Sequence, residues 1–185
     1  MSDHPSRRTV IAGGTAAALA SLAAPALAQT ETRRNTSYFV PHDWRDHFDV
    51  LGSGRIVSDT NTRALQHWDA AGRMTLYPTS VPMTDELTRR GYTEVVRKRE
   101  NPSWTPTPDM RQRDPSLPIR MEGGDPGNPL GTRALYLDWP AYLIHGTHDT
   151  RKIGRRSSSG CIGLYNRMIE DLYAKVPVGV KVVLI

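Results

Sequence analysis

Two residue types near the C-terminus have the chemistry for acyl transfer: a thiol, and an imidazole sixteen positions before it. Cys161 is the only cysteine in the 185 residues and follows Ser157-Ser158-Ser159-Gly160. His145 stands in Ile144-His145-Gly146-Thr147, at the end of an apolar run that would hold its ring firmly. A thiol attacks a carbonyl as the thiolate, and a neighbouring imidazole is the usual means of making one. Gly160 lacks a Cβ, which permits a tight turn and close substrate approach. The amides of Gly160 and Cys161 would then be free to face a developing oxyanion. On spacing alone the pair is weak, because a Cys and a His at this distance arise in many chains. A metal site from His145, His148, Asp149 and Cys161 is the alternative, but H-x-x-H-D fits no ligand spacing on a helix. No metal is expected.

The N-terminus sharpens the reading of the thiol. Arg7-Arg8 precedes an apolar, alanine-rich run from Val10 to Ala24, and Pro25-Ala26-Leu27-Ala28 supplies an A-x-A site before Gln29. This pattern reads as an export signal of the twin-arginine type over 1–28, with the periplasm as destination. The run is too short and weakly apolar to span a bilayer comfortably. Residues 29–45 are polar and arginine-rich and read as a linker, leaving 46–185 as one domain. In an oxidising compartment structural cysteines pair, and a single cysteine cannot. Cys161 is therefore either deeply buried or used. The net charge of +5 is spread over 24 basic and 19 acidic residues. Such a mixture makes no polyanion-binding stripe, so nucleic acid is not expected as a partner.

The elements that must position these residues are mostly strands. Gly54–Asp59 reads as a strand, and Thr62–Trp68 with Met74–Tyr77 as a hairpin about Ala70-Ala71-Gly72-Arg73. Met83–Arg90 reads as one helical turn, capped by Thr84 and ended by Gly91. Tyr92–Lys98 is a further strand. Seven prolines between Pro102 and Pro129 forbid a long helix there. With Trp104 among them, the stretch reads as an ordered loop or groove wall. Arg133–Leu137 and Tyr142–Ile144 read as strands, Arg151–Gly160 as a loop, and Val176–Ile185 as the closing strand. Met168, Ile169, Leu172 and Tyr173 have helical spacing, with Asn166 placed as cap and Glu170 and Asp171 in the first turns.

His145-Gly146-Thr147 and Ser159-Gly160-Cys161-Ile162 resemble the catalytic motif of the L,D-transpeptidases, the YkuD-type domain. Tyr77-Pro78-Thr79-Ser80, Asn101-Pro102-Ser103-Trp104-Thr105-Pro106 and Asn128-Pro129-Leu130-Gly131 fall in family order upstream, so the likeness covers roughly the C-terminal two-thirds of the chain. The resemblance implies a mainly β, mixed sandwich-like catalytic domain with one or two short helices. It maps the nucleophile to Cys161 and the base to His145, with Gly160, Ser159 and Gly146 in support. The implied reaction releases D-alanine from a peptidoglycan tetrapeptide stem through a thioester. An amine of a second stem then takes the acyl group as a 3→3 cross-link in wall remodelling, with no cofactor. Water as acceptor would make a carboxypeptidase, and an envelope-protein amine a tethering enzyme. Loss of activity would leave a wall-binding module.

Two positions depart from the family pattern. Ser159 stands where a histidine is usual, and Gly163 where an arginine is usual. Serine can hydrogen-bond a thiolate or substrate but is no ionisable base, so His145 is the only base of the motif. Without an arginine at 163 a carboxylate loses a bidentate handle. Thr147, Arg155 and Arg156, with Arg151 nearby, are the candidates to bind substrate instead. A Cys161–His145 pair would also let the thiol be alkylated well below its ordinary pKa of about 8.5.

Overall fold

The structure, a computed structural model, describes residues 40–185. The expected export signal and the linker up to residue 39 lie outside the described residues. Val40 to Asp46 are tied to the domain. The Gln66 side chain accepts from the His42 amide at 3.1 Å and donates to the Val40 carbonyl at 2.9 Å, while His42 Nε2 lies 3.1 Å from Asp59 Oδ2.

Ten strands and two α-helices follow. In chain order they are β1 (Arg55–Asp59), β2 (Ala64–Trp68), β3 (Met74–Pro78), β4 (Val81–Pro82) and β5 (Gly91–Glu100), then α1 (Pro108–Arg113), β6 (Arg133–Leu137), β7 (Leu143–His145), β8 (Arg156–Ser158), β9 (Ile162–Gly163), α2 (Asn166–Lys175) and β10 (Lys181–Leu184). Eight strands form one sheet in the order β3-β2-β1-β10-β5-β6-β7-β9, and β4 pairs with β8 in a second, two-stranded piece. The mainly β class with few short helices agrees with expectation. The last strand enters the middle of the sheet, parallel to β1 and antiparallel to β5. A central strand packed on both faces is apolar on both. Val182, Val183 and Leu184 meet that demand and are buried.

The hairpin from β2 to β3 is held by Asp69, whose Oδ1 accepts from the amides of Ala71 and Arg73 at 2.9 and 3.0 Å. In β5 the pairing with β6 shifts between Val95 and Arg97, a bulge that locally bends the strand. Helix α2 buries Ile169 and Leu172 among Leu135, Ile144, Ile162 and Leu164. Each such side chain contributes about 1.5–3 kcal/mol of transfer free energy. No helix among the described residues is long and apolar enough to cross a membrane.

Three local expectations change. Arg151–Gly160, expected as a loop, carries β8, because Val81 and Pro82 of β4 pair with it from a distant part of the chain. Met83–Arg90 is not helical but a run of bends with one turn, closed by Thr88 N–H to the Asp85 carbonyl at 3.0 Å. Helix nucleation costs more than so short a segment recovers, and Asp85 is drawn aside by Arg90 and Arg156. Asn166 is the first residue of α2 rather than its cap; the cap is Tyr165, which makes no side-chain hydrogen bond. The Asn166 side chain instead turns outward from the helix and accepts from the Thr132 amide at 3.3 Å.

The proline-rich stretch is an ordered wall. Trp104 and Met121 exchange two backbone hydrogen bonds of 2.8 and 2.9 Å. Buried Asn128 donates to the carbonyls of Pro102 and Glu122 at 2.9 and 3.0 Å, drawing the ends of the loop together. Within it α1 starts as the chemistry of a helix start requires: Thr107 accepts from the Met110 amide, and Pro108 occupies the first turn, where no amide is needed.

Candidate active site

The strand register sets the site. β7 and β9 are parallel, with Ile144 beside Ile162 and His145 beside Gly163. Cys161 is therefore level with Leu143, and side chains alternate along a strand. Ile144 and Ile162 enter the main core on one face. Leu143, His145 and Cys161 share the other face, which opens on a cleft of about 430 Å³. Cys161 and His145 differ by two residues along adjacent strands, so their backbones stand about 7 Å apart in the strand direction. Gly163 lies beside His145, and a Cβ there would come within 2.4 Å of Ser80 Oγ and 3.8 Å of His145 Cε1. The missing side chain makes room for both.

His145 is 8% exposed, and its Nδ1 lies 2.5 Å from the Gly146 carbonyl oxygen. A carbonyl only accepts, so Nδ1 carries the proton and Nε2 keeps its lone pair. Desolvation holds the imidazole down to about 4; the Gly146 carbonyl opposes the shift and the charge of Lys152 reinforces it. The ring is neutral at pH 7, which is the form a base must have. Gly146 must be glycine, since a Cβ there would lie 2.3 Å from Asn166 Oδ1.

The thiol is also neutral. It is partly buried, desolvation pushes it up to about 11 with the Leu143 backbone opposing, and its Sγ rests 3.5 Å from the Ala141 carbonyl oxygen. A desolvated thiol favours its uncharged form.

The supporting residues divide. Gly160 adopts φ +141°, a conformation that needs glycine. Its amide is turned to Ser158 Oγ at 3.4 Å, so it is not free for an oxyanion as expected. The Cys161 amide has no backbone acceptor among the described residues. Ser158 also donates to the Cys161 carbonyl at 2.5 Å, and thus closes the turn that presents the thiol. Ser159 and Thr147 line the cleft, but Thr147 Oγ1 is engaged with the Asp149 backbone at 3.1 and 3.4 Å. Arg155 and Arg156 are not part of the lining; Arg156 pairs with Asp85 at 2.5 Å. Arg151 is committed to Asp149 at 2.8 and 3.0 Å, which holds that carboxyl at about 2. The cations that do face the cleft are Lys152 and Arg113. Sequence reasoning missed both, together with Ser80 and Ser158. No spacing signal singles them out, because their placement depends on the β4–β8 pairing and on the folding of the proline-rich wall. Among the described residues no three His, Cys, Asp or Glu side chains group as metal ligands.

The family model described as the YkuD L,D-transpeptidase catalytic domain matches residues 53–185. The chain belongs to that family. A Fuscovulum blasticum protein named for L,D-transpeptidase, from the ATP synthase subunits region, is 57% identical over 189 residues, covering 98% of each chain. ErfK/SrfK of Escherichia coli, also named for L,D-transpeptidase, is 37% identical over 142 residues; the match covers 74% of this chain and 45% of that longer protein. In fold, the domain is similar to L,D-transpeptidase 3 from Mycobacterium tuberculosis, with TM-score 0.57, 16% identity and coverage of 72% of this chain and 61% of that one. The Enterococcus faecium L,D-transpeptidase gives TM-score 0.57 at 16% identity, over 73% of this chain and 50% of that one. An L,D-transpeptidase domain thus accounts for the ordered motifs around Pro102, Asn128 and Cys161.

Proposed function

We propose that this chain is a peptidoglycan L,D-transpeptidase acting in the periplasm, with Cys161 as nucleophile and His145 as base. One observation carries the reading: thiol and imidazole open on one cleft, with His145 Nδ1 held by a carbonyl and Nε2 left to accept a proton. His145 takes the thiol proton as Sγ attacks the carbonyl carbon at the L-centre of diaminopimelate in a tetrapeptide stem. The Cys161 amide faces the oxyanion. The imidazolium returns its proton to the departing nitrogen, the C–N bond breaks, D-alanine leaves, and a thioester remains. The amine of a second stem attacks the thioester, the C–S bond breaks, the proton released by the amine restores the thiol, and a 3→3 cross-link forms.

The test is incubation with tetrapeptide stems, reading D-alanine release and the mass of the protein. Released D-alanine with an acyl adduct on Cys161, both absent in Cys161→Ala, is the expected result. Stem binding without either product would make the domain a wall-binding module instead. Dimeric stems in the products identify the acceptor as a second stem; free tripeptide alone would make the enzyme a carboxypeptidase.

A further inference from the structure

The cleft holds a cation that the reaction above does not use. Lys152 ends the short turn Thr150–Lys152, is half-buried and lines the same cleft as Cys161 and His145. Among the described residues its ammonium enters no ion pair, whereas Arg151 beside it is locked to Asp149 and Arg156 to Asp85. The cleft that His145 borders thus carries a half-buried cation with no partner of its own. The other charged or titratable side chains lining it are Arg113, Asp114 and His148.

We infer that Lys152 binds the free terminal carboxylate of the donor stem, the one that departs with the D-alanine. This rests on the transpeptidase reading, and the argument is one of placement in the shared cleft. The nitrogen that receives the proton from His145 must lie against the imidazole. In a terminal amino acid the carboxylate carbon is two bonds from that nitrogen, about 2.5 Å away. Lys152 lines the same cleft as His145 and Cys161, so a donor seated there brings its terminal carboxylate into the space this cation borders. A longer stem carries a neutral amide at that position and offers Lys152 nothing to pair with, which leaves its charge desolvated and unpaired. The pairing also has a chemical consequence. A bound carboxylate cancels the Lys152 charge that disfavours imidazolium, so the correct donor strengthens the base as it binds.

The experiment compares the full chain with Lys152→Met and Lys152→Arg on two synthetic tetrapeptide stems, one ending in D-alanine and one in D-alaninamide. The parent should prefer the free acid by about 10- to 100-fold in kcat/KM, the range for a charge-assisted hydrogen bond. Lys152→Met should lose that preference, chiefly through a higher KM for the acid, with little change on the amide. Lys152→Arg should restore most of it. Equal losses on both stems would reduce Lys152 to a structural residue and overturn the assignment. A preference that survives in Lys152→Met but disappears in Arg113→Met would transfer the role to Arg113. If the parent releases D-alanine or D-alaninamide from neither stem, the transpeptidase reading itself fails, and this inference with it.

Discussion

Two buried histidines stand in opposite halves of the same sheet. His67 is in β2, 1% exposed, and His145 is in β7, 8% exposed. Both are held below the ordinary histidine value, in each case chiefly by desolvation. A nearby lysine adds to both shifts, Lys175 at His67 and Lys152 at His145. They differ in what the ring nitrogens meet. Neither nitrogen of His67 has a hydrogen-bond partner among the described residues. At His145 one nitrogen is fixed on a carbonyl and the ring borders a cleft that also holds a thiol. A shifted pKa therefore does not mark a site by itself. A fixed tautomer with an open opposite face does.

The largest test of that contrast exchanges the two. His145→Gln should lower kcat for D-alanine release by about 10²–10⁴-fold, the usual contribution of a general base, with little change in melting temperature. His67→Leu should leave kcat within about twofold of the parent and, by removing two unpartnered polar atoms from the core, should be neutral or stabilising by about 1 kcal/mol. A loss of activity in His67→Leu comparable to that in His145→Gln would break the comparison.

A pH series sharpens it. For both histidines the folded state disfavours the proton that the unfolded state accepts, so protonation favours unfolding. This stabilising contribution is complete above the ordinary value near 6.5 and is lost as pH falls below it; for His145 the loss runs down to about 4. Thermal melts should show stability declining from pH 6.5 toward 4, less steeply in His67→Leu. Activity should follow only His145, with kcat/KM rising as pH increases through about 4 and holding across neutrality. Alkylation of Cys161 should be slow at pH 7 and climb toward its value of about 11. Rapid alkylation at pH 6 would instead favour a Cys161–His145 ion pair.

The smallest effect lies in the half of the sheet that carries His67. Tyr77 donates to Asp171 Oδ2 at 2.6 Å, joining β3 to α2. Tyr77→Phe should cost about 1 kcal/mol in denaturant unfolding and leave kcat unchanged. A fall in kcat would mean that the two halves of the sheet are coupled.

Much of this was legible in residue order. Alternation and β-branching marked the strands from Arg55 to Leu137, and the density of prolines marked an ordered wall. Residue chemistry put the thiol and imidazole within one loop of each other. What was illegible was local in sequence but decided at long range. Met83–Arg90 is drawn out of a helix by an arginine about seventy residues away. Asn166 leaves the cap position for the Thr132 amide.

The order of residues on its own determined the candidate thiol and imidazole, the glycine needed at position 160, and the family to which the motifs belong. Those properties reside in side-chain chemistry and in backbone freedom, which a residue carries wherever it is placed. Only the tertiary structure decided that Lys152 rather than Arg151, Arg155 or Arg156 faces the cleft, and that the thiol rests neutral on the Ala141 carbonyl. Side chains on a strand or tight turn change direction from one residue to the next. The direction each one takes is therefore set by the register with a distant partner strand, and burial then sets which charge state it can hold.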